Sequence, residues 1–216
     1  MRAWQVTRHG EPSDVLELVQ LPVPAPGPGQ VLVRVAASAC NFPDVLLCHG
    51  TYQERPPLPF TPGLEISGEV VATGQGAGAA AGDRVIGTPA LPSGGYAEHV
   101  LLDTWYPWPD GMTPGQAAGL FITYQTGVCA LHHRAGLRSG EVLLVHAAAG
   151  GVGSAAVQVG KAAGATVIGT AGGGDKCATA RTLGADHVVD YRDTDVVAAV
   201  KEITGGHGAD VVFDPV

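Results

Sequence analysis

The sequence predicts two successive domains: a β-rich, barrel-like part over residues 1–115, and an α/β part over residues 116–216 built on a doubly wound parallel sheet. Three observations predict this. Up to about Gly115, short strand-forming stretches are separated by Pro and Gly. Beyond Thr113, continuous apolar strands alternate with amphipathic helices, the pattern of a parallel sheet covered on both faces. The chain is 216 residues long, 45% hydrophobic and only 15% charged, so it can bury a real core and is not disordered.

In the first part the candidate strands are residues 2–7, 15–21, 31–37, 66–73, 84–87 and 96–102. The proline-rich stretch 22–29 is a turn that cannot continue a sheet interior. Thr113 reads as an N-cap with Pro114 at the first helical position, opening a helix to about Arg134. A strand at 142–146 and a helix at 153–163, ended by Gly164, follow. Next come a strand at 166–170, a helix capped by Asp175 and ended by Gly184, and a short strand at 187–189. Val196, Val197, Val200 and Ile203 form a helical stripe before Gly205, and residues 211–213 are a fourth strand.

The net charge of −8 removes any basic nucleic-acid footprint, and an anionic membrane surface would repel the chain. Cys40, Cys48, Cys129 and Cys177 show neither metal-finger nor redox spacing. The first fourteen residues mix charges and do not read as a signal peptide, and no apolar run is long enough to span a bilayer. A cytoplasmic protein with free thiols is expected.

The strongest local signal follows the strand at 142–146. The run Ala147-Ala148-Ala149-Gly150-Gly151-Val152-Gly153 stands between a buried strand and a helix, where a G-x-G-x-x-G dinucleotide fingerprint belongs, with Ala148 in the first glycine place. Gly150 lets the backbone approach a pyrophosphate, Gly153 lets the helix pack on the strand, and the helix start offers free N–H groups. Ala149, Gly151 and Val152 complete the candidate phosphate loop. The plain alternative is a glycine-rich turn with no ligand; the strand–loop–helix context favours nucleotide binding.

The second strand bears on which nucleotide. An acidic residue about 20 residues after the loop ordinarily bonds the ribose 2′-hydroxyl of NAD. Here that region is Gly169-Thr170-Ala171-Gly172, without a carboxylate, although Asp175 follows shortly. Lys176, Tyr191 and Arg192 can surround a 2′-phosphate with positive charge and a phenol, although Lys176 or Arg192 alone reads sooner as a solvated surface charge. Thr170 and Gly172 join these as candidate cofactor residues, and NADPH is the expected cofactor.

At this point the sequence resembles the medium-chain dehydrogenase/reductase superfamily, and within it the NADPH:quinone oxidoreductase (zeta-crystallin-like) branch. The resemblance rests on Ala39-Cys40-Asn41-Phe42-Pro43-Asp44, Gly50-Thr51-Tyr52, Pro62-Gly63-Leu64-Glu65 and Gly82-Asp83-Arg84-Val85. It continues through Gly94-Gly95-Tyr96-Ala97-Glu98, Tyr124-Gln125-Thr126-Gly127, the loop from Ala148 to Gly153, and Leu183-Gly184-Ala185-Asp186. It implies a GroES-like β-rich domain followed by a Rossmann-type cofactor domain. In zinc enzymes of the superfamily, a Cys, a His and a second Cys hold the catalytic metal at the places occupied here by Asn41, Leu64 and Ile122. Leu and Ile cannot ligate zinc, so no metal site is expected.

Without a Lewis acid, alcohol oxidation is not the expected chemistry. The resemblance implies hydride transfer from NADPH to a quinone or an α,β-unsaturated carbonyl compound. It puts Asn41, Tyr52 and Thr126 near the nicotinamide. Asn41 would bond a substrate or cofactor oxygen, Tyr52 would stabilise the developing oxyanion or deliver a proton, and Thr126 would bond the carboxamide. Each has a plainer reading: Asn41 as a helix cap, Tyr52 as a turn aromatic, Thr126 as a packing residue. Glu65 and Asp44 read as structural hydrogen-bonding residues.

Only four strands of the second sheet are legible, where six are ordinary. The cofactor domain is therefore expected to be C-terminally incomplete over these residues, and the chain alone to be poorly soluble through the edge at 211–213, or soluble with early hydrogen exchange across 142–213. The complete protein is expected to be a homodimer. Two other readings stay open: an enoyl-thioester reductase of the same superfamily, and a non-catalytic NADPH-binding, crystallin-like protein.

Overall fold

The computed structural model describes residues 1–215. They form two compact units, one spanning Met1–Phe121 and a second beginning at Ile122.

The first unit opens with β1 (Arg2–Val6) and β2 (Leu16–Gln20), an antiparallel pair in which Trp4 faces Leu18. The expected strand at 15–21 starts late because Pro12 opens a helical turn, α1 (Pro12–Val15). A five-stranded antiparallel sheet follows, made of β3 (Val31–Ser38), β4 (Ile66–Thr73), β5 (Arg84–Gly87), β6 (His99–Leu102) and β7 (Trp105–Pro107), in the order β6-β3-β4-β5-β7. Alternate residues of these strands, Val31, Val33, Val70, Val85, Val100 and Leu102 among them, turn inward to form the core. The expected strand at 96–102 is shorter: Ala97 pairs with Ala3 instead, and Tyr96 turns its hydroxyl toward Ala39 and Asp44. Two helices complete the unit, α2 (Phe42–His49) and α3 (Pro114–Ala118), the latter N-capped by Thr113 as the sequence predicts.

The single helix expected from Thr113 to Arg134 is not continuous. It stops at Gly119, a weak helix former, and restarts as α4 (Phe121–Val128). Its end, Cys129–Arg134, widens into a π-helical turn.

The second unit holds four parallel strands, β8 (Val142–Val145), β9 (Thr166–Ala171), β10 (His187–Asp190) and β11 (Val211–Phe213), in the order β10-β9-β8-β11. This is the 3-2-1-4 part of the doubly wound order. Between them run α5 (Gly151–Ala162), α6 (Gly174–Thr182) and α7 (Val196–Ile203). Because successive strand residues point to opposite faces, Leu143, Val145 and Val167 pack with Ala156 and Val157 of α5. Leu144, Ile168 and Val189 pack on the other face with Val196, Val200 and Ile203 of α7. Both faces of the sheet are thus covered by helices. Helix α5 begins two residues earlier than expected. The cap of α6 is Gly173, whose φ of +92° makes the turn, and Asp175 lies in the first helical turn rather than at the cap. Among the described residues, no helix is long and apolar enough to cross a membrane.

Candidate functional site

In the second unit the site grows from the exit of β8. The N–H of His146 still donates to Phe213 O at 2.9 Å, placing this residue between β8 and β11, where the strand order reverses. Ala147 then adopts φ +48°, a conformation unusual outside glycine, and Gly150 N–H closes the turn on Ala147 O at 2.8 Å. Ala148 N–H donates to Thr170 O at 2.9 Å, tying the loop to β9. Helix α5 starts at Gly151. A Cβ on Gly153 would run into the Ala147 carbonyl oxygen, and one on Gly150 would lie 3.2 Å from it. Close approach therefore requires a glycine at 153 and favours one at 150. Gly150 and Gly151 are exposed, Ala149 and Val152 half-buried, and the first-turn amides of α5 have no partners within the helix. A turn of this shape can seat a pyrophosphate.

A second group gathers where β9 and β10 end. The Tyr191 ring lies over Gly172, so that a Cβ there would be 2.5 Å from the phenol oxygen. Arg192 reaches Gly173, with a guanidinium nitrogen 3.1 Å from where a Cβ would stand. Lys176 is exposed in the first turn of α6. Thr170 is buried, and its hydroxyl is hydrogen-bonded to His146 Nδ1 at 3.0 Å.

Two members of this region escape the sequence reading. His146 is set beside Thr170 by the parallel pairing of β8 and β9. Asp190 ends β10, and its carboxylate accepts the Gly173 N–H at 2.9 Å and the Arg192 N–H at 3.0 Å. The amides of Arg192 and Gly173 hold this carboxyl below the usual Asp range. Its place directly before Tyr191-Arg192, at the end of a short strand, is the signal that would have found it.

Thr126 sits in α4 and donates its hydroxyl to Ile122 O at 2.7 Å. The oxygen lone pairs remain for an incoming donor.

In the first unit, Asn41 caps α2. Its N–H donates to Asp44 Oδ2 at 2.9 Å, and its Nδ2 donates to Glu65 Oε1 at 3.0 Å. Asp44 is buried and also accepts from Gly63 N–H at 2.9 Å and Tyr96 OH at 3.1 Å. Burial pushes its carboxyl above the ordinary range in spite of these bonds. Burial likewise drives the Tyr96 phenol far upward, with Cys40 and Asp44 adding to the effect. Tyr52 is half-buried against the cluster of Val6, Val15, Leu47, Cys48 and Phe60. Leu64 packs against the same cluster and Ile122 is half-buried; neither side chain carries a donor atom for a metal. Cys40 is exposed and Cys48 buried.

Comparisons with known proteins agree with this geometry. Residues 27–124 match the family described as "Alcohol dehydrogenase GroES-like domain", and residues 151–216 match "Zinc-binding dehydrogenase". The quinone oxidoreductase of Rattus norvegicus is 39% identical over 218 residues, covering 99% of this chain and 66% of its own length. The chain thus spans just under two thirds of this curated relative. A crystal structure described as an NAD-dependent alcohol dehydrogenase superposes with a TM-score of 0.93 at 37% identity, over 98% of this chain and 70% of the other. The Escherichia coli quinone oxidoreductase in complex with NADPH superposes with a TM-score of 0.89 at 35% identity, over 99% and 66% respectively. With both parts of the fold and the phosphate loop in place, the chain belongs to the quinone oxidoreductase branch of the medium-chain dehydrogenase/reductase superfamily.

Proposed function

We propose that the protein is a zinc-independent oxidoreductase that uses NADPH to reduce quinones or α,β-unsaturated carbonyl compounds. The observation that carries this reading is the pairing of a phosphate-sized turn at α5 with a phenol and a guanidinium at the ends of β9 and β10. The turn fits a dinucleotide: Gly153 lets α5 start close against the Ala147 carbonyl, and Gly150 and Gly151 at the helix start are exposed. Ala149, Gly150, Gly151, Val152 and Gly153 would hold the pyrophosphate, and Thr170 the adenosine side. Gly172, Lys176, Tyr191 and Arg192 would hold the 2′-phosphate. The NADPH complex of the Escherichia coli relative supports this choice, whereas the relative described as NAD-dependent favours NADH.

NADPH supplies a hydride equivalent when bound. Thr126 offers its oxygen as an acceptor for the carboxamide, its proton being held by Ile122 O. Asn41 has its amide nitrogen fixed on Glu65 and its side chain held in the capping box of α2, so it would meet an incoming donor as a preset acceptor. Tyr52 would stabilise the developing oxyanion and hand it a proton. Zinc does not fit, because Leu64 and Ile122 offer no ligand atoms, and no step passes through it. The unpaired thiols suit a reducing cytoplasm, and a homodimer of the whole protein belongs to the same proposal.

The test is a substrate panel with the purified whole protein: a benzoquinone, a conjugated enone and a simple primary alcohol, each with NADPH/NADP⁺ and NADH/NAD⁺, with and without chelator. Turnover of quinone or enone with NADPH, unaffected by chelator, is expected. Alcohol turnover of comparable rate, or stoichiometric zinc by elemental analysis, would overturn the reading.

A further inference from the structure

The carboxylate of Asp190 stands where two loops of the cofactor unit meet. β10 runs parallel to β9, with Asp190 opposite Ala171. Beyond this pair the chain turns: Tyr191 N–H donates to Ala171 O at 3.2 Å, and Asp193 and Thr194 N–H donate to Asp190 O at 3.3 and 3.1 Å. The backbone of Asp190 therefore closes one turn. Its side chain reaches into the other, where Oδ2 accepts from Gly173 N–H and Oδ1 from Arg192 N–H. The same two loops carry Gly172 under the Tyr191 ring and Gly173 beside the Arg192 guanidinium.

An acid in this part of a dinucleotide fold ordinarily faces the ribose hydroxyls and selects against a 2′-phosphate. Asp190 comes from the third strand rather than the second. Each of its oxygens accepts a backbone N–H, a geometry that favours the ionised carboxylate and commits one acceptor site of each oxygen to the protein's own backbone. Ala171 and Cys177 lie buried next to it, and the Cys177 thiol approaches Ala171 O at 3.9 Å, so the loop is packed from beneath.

We infer that Asp190 is a positioning residue for 2′-phosphate recognition: by clamping the Gly173 and Arg192 amides, it sets the Tyr191 phenol and the Arg192 guanidinium at the phosphate site. The inference rests on the NADPH reading above. It makes an acidic residue favour the phosphorylated cofactor through backbone geometry rather than oppose it through charge.

The experiment compares the wild-type protein with Asp190→Ala and Asp190→Asn. Calorimetry would measure binding of adenosine 2′,5′-bisphosphate and of 5′-AMP, and hydrogen exchange would follow the Gly173 and Arg192 amides. Asp190→Ala should weaken the bisphosphate about tenfold and 5′-AMP less than twofold, with faster exchange at both amides. Asp190→Asn keeps one acceptor and should recover part of the loss; it also decides the matter if the Ala variant does not fold. A wild-type preference for the bisphosphate that both variants retain, or a bisphosphate that binds them more tightly, would overturn the role of Asp190 alone. Selective weakening of 5′-AMP and NADH would make Asp190 an ordinary ribose acid and overturn it too. No wild-type preference for the bisphosphate would overturn the NADPH reading together with this inference.

Discussion

The carboxylate of Asp44 accepts the backbone N–H of Gly63 at 2.9 Å, across nineteen residues of sequence. Gly63 has φ +103°, and a Cβ there would lie 2.6 Å from the Tyr96 backbone nitrogen, so a bare backbone must approach this acid. Asn41 N–H, Tyr96 OH and the Leu64 backbone add to its shell. Removing the carboxylate leaves the Gly63 and Asn41 amides without this acceptor, while Tyr96 OH keeps Ala39 O. Asp44→Ala should therefore cost about 3 kcal/mol, at the scale of buried groups left unsatisfied. Urea unfolding of wild type and variant checks this. Burial raises the folded Asp44 pKa above its unfolded value, so its contribution to stability declines as pH rises through that window. Asp44→Asn should lose that slope.

Gly153 and Gly150 differ in how hard each is pressed against the Ala147 carbonyl. A Cβ on Gly153 overlaps the oxygen outright, whereas one on Gly150 stands 3.2 Å away. Gly153→Ala must push the loop off β8 or shift α5, costing about 1–3 kcal/mol. Gly150→Ala should cost less in stability. Thermal unfolding of the two variants ranks them, and an equal loss would contradict the loop geometry. NADPH affinity should fall at least tenfold for Gly153→Ala.

Lys161 and Asp186 make a two-pronged ion pair, with Nζ 2.7 and 2.8 Å from the two carboxylate oxygens, and Val167 N–H adds a bond of 2.7 Å. Partial burial pulls the Asp186 pKa up, but Lys161 and Val167 together outweigh it and the carboxyl lies below its ordinary value. A depressed folded pKa contributes stability above the unfolded value, about 3.9, and loses it as pH falls through the folded value. Both side chains are about one-third exposed, so the pair is worth about 0.5–1 kcal/mol. Asp186→Asn should destabilise by that amount at pH 7, and the two proteins should converge as pH falls through the lowered folded value. A difference that persists in acid would assign the effect to packing.

Where local pattern decides structure, the sequence was legible. Ile66–Thr73, Arg84–Gly87 and Val211–Phe213 stand where strand-forming runs end in turn residues, and the Val196–Val200–Ile203 stripe is the buried face of α7. The phosphate loop was readable because strand, turn and helix are contiguous. Apolar residues keep helical spacing across Gly119, so the pattern reads as one helix from Thr113, whereas the chain breaks at this weak helix former. The Trp105–Pro107 strand was missed because it is short, lies at a sheet edge and ends in proline. Asp190 and His146 were missed for a different reason. Their partners, Gly173 and Thr170, are 17 and 24 residues away and meet them only through parallel strand pairing.

Lys176 tests cofactor choice independently of Asp190. It is exposed in the first turn of α6, beyond the loop that carries Gly172 and Gly173. One charged hydrogen bond to a phosphate is worth about 1.5–3 kcal/mol. Lys176→Ala should raise the NADPH dissociation constant accordingly and leave that of NADH nearly unchanged. Fluorescence titration with both nucleotides reads this directly, and equal weakening of the two would remove Lys176 from the phosphate site.

Tyr52 separates packing from chemistry. Its backbone N–H donates to Leu46 O at 3.3 Å, in the turn after α2, and its ring packs against the Leu47–Phe60 cluster. Neither contact uses the phenol oxygen. Tyr52→Phe keeps the ring and the turn, so the melting temperature and NADPH affinity should hold. If the phenol stabilises the oxyanion that develops on a quinone or enone, its loss removes one preorganised donor, and turnover should fall about 100-fold. Stopped-flow rates of NADPH oxidation at saturating substrate would show this. Turnover unchanged within twofold would leave Tyr52 as an aromatic of the α2 turn and move proton delivery to another group.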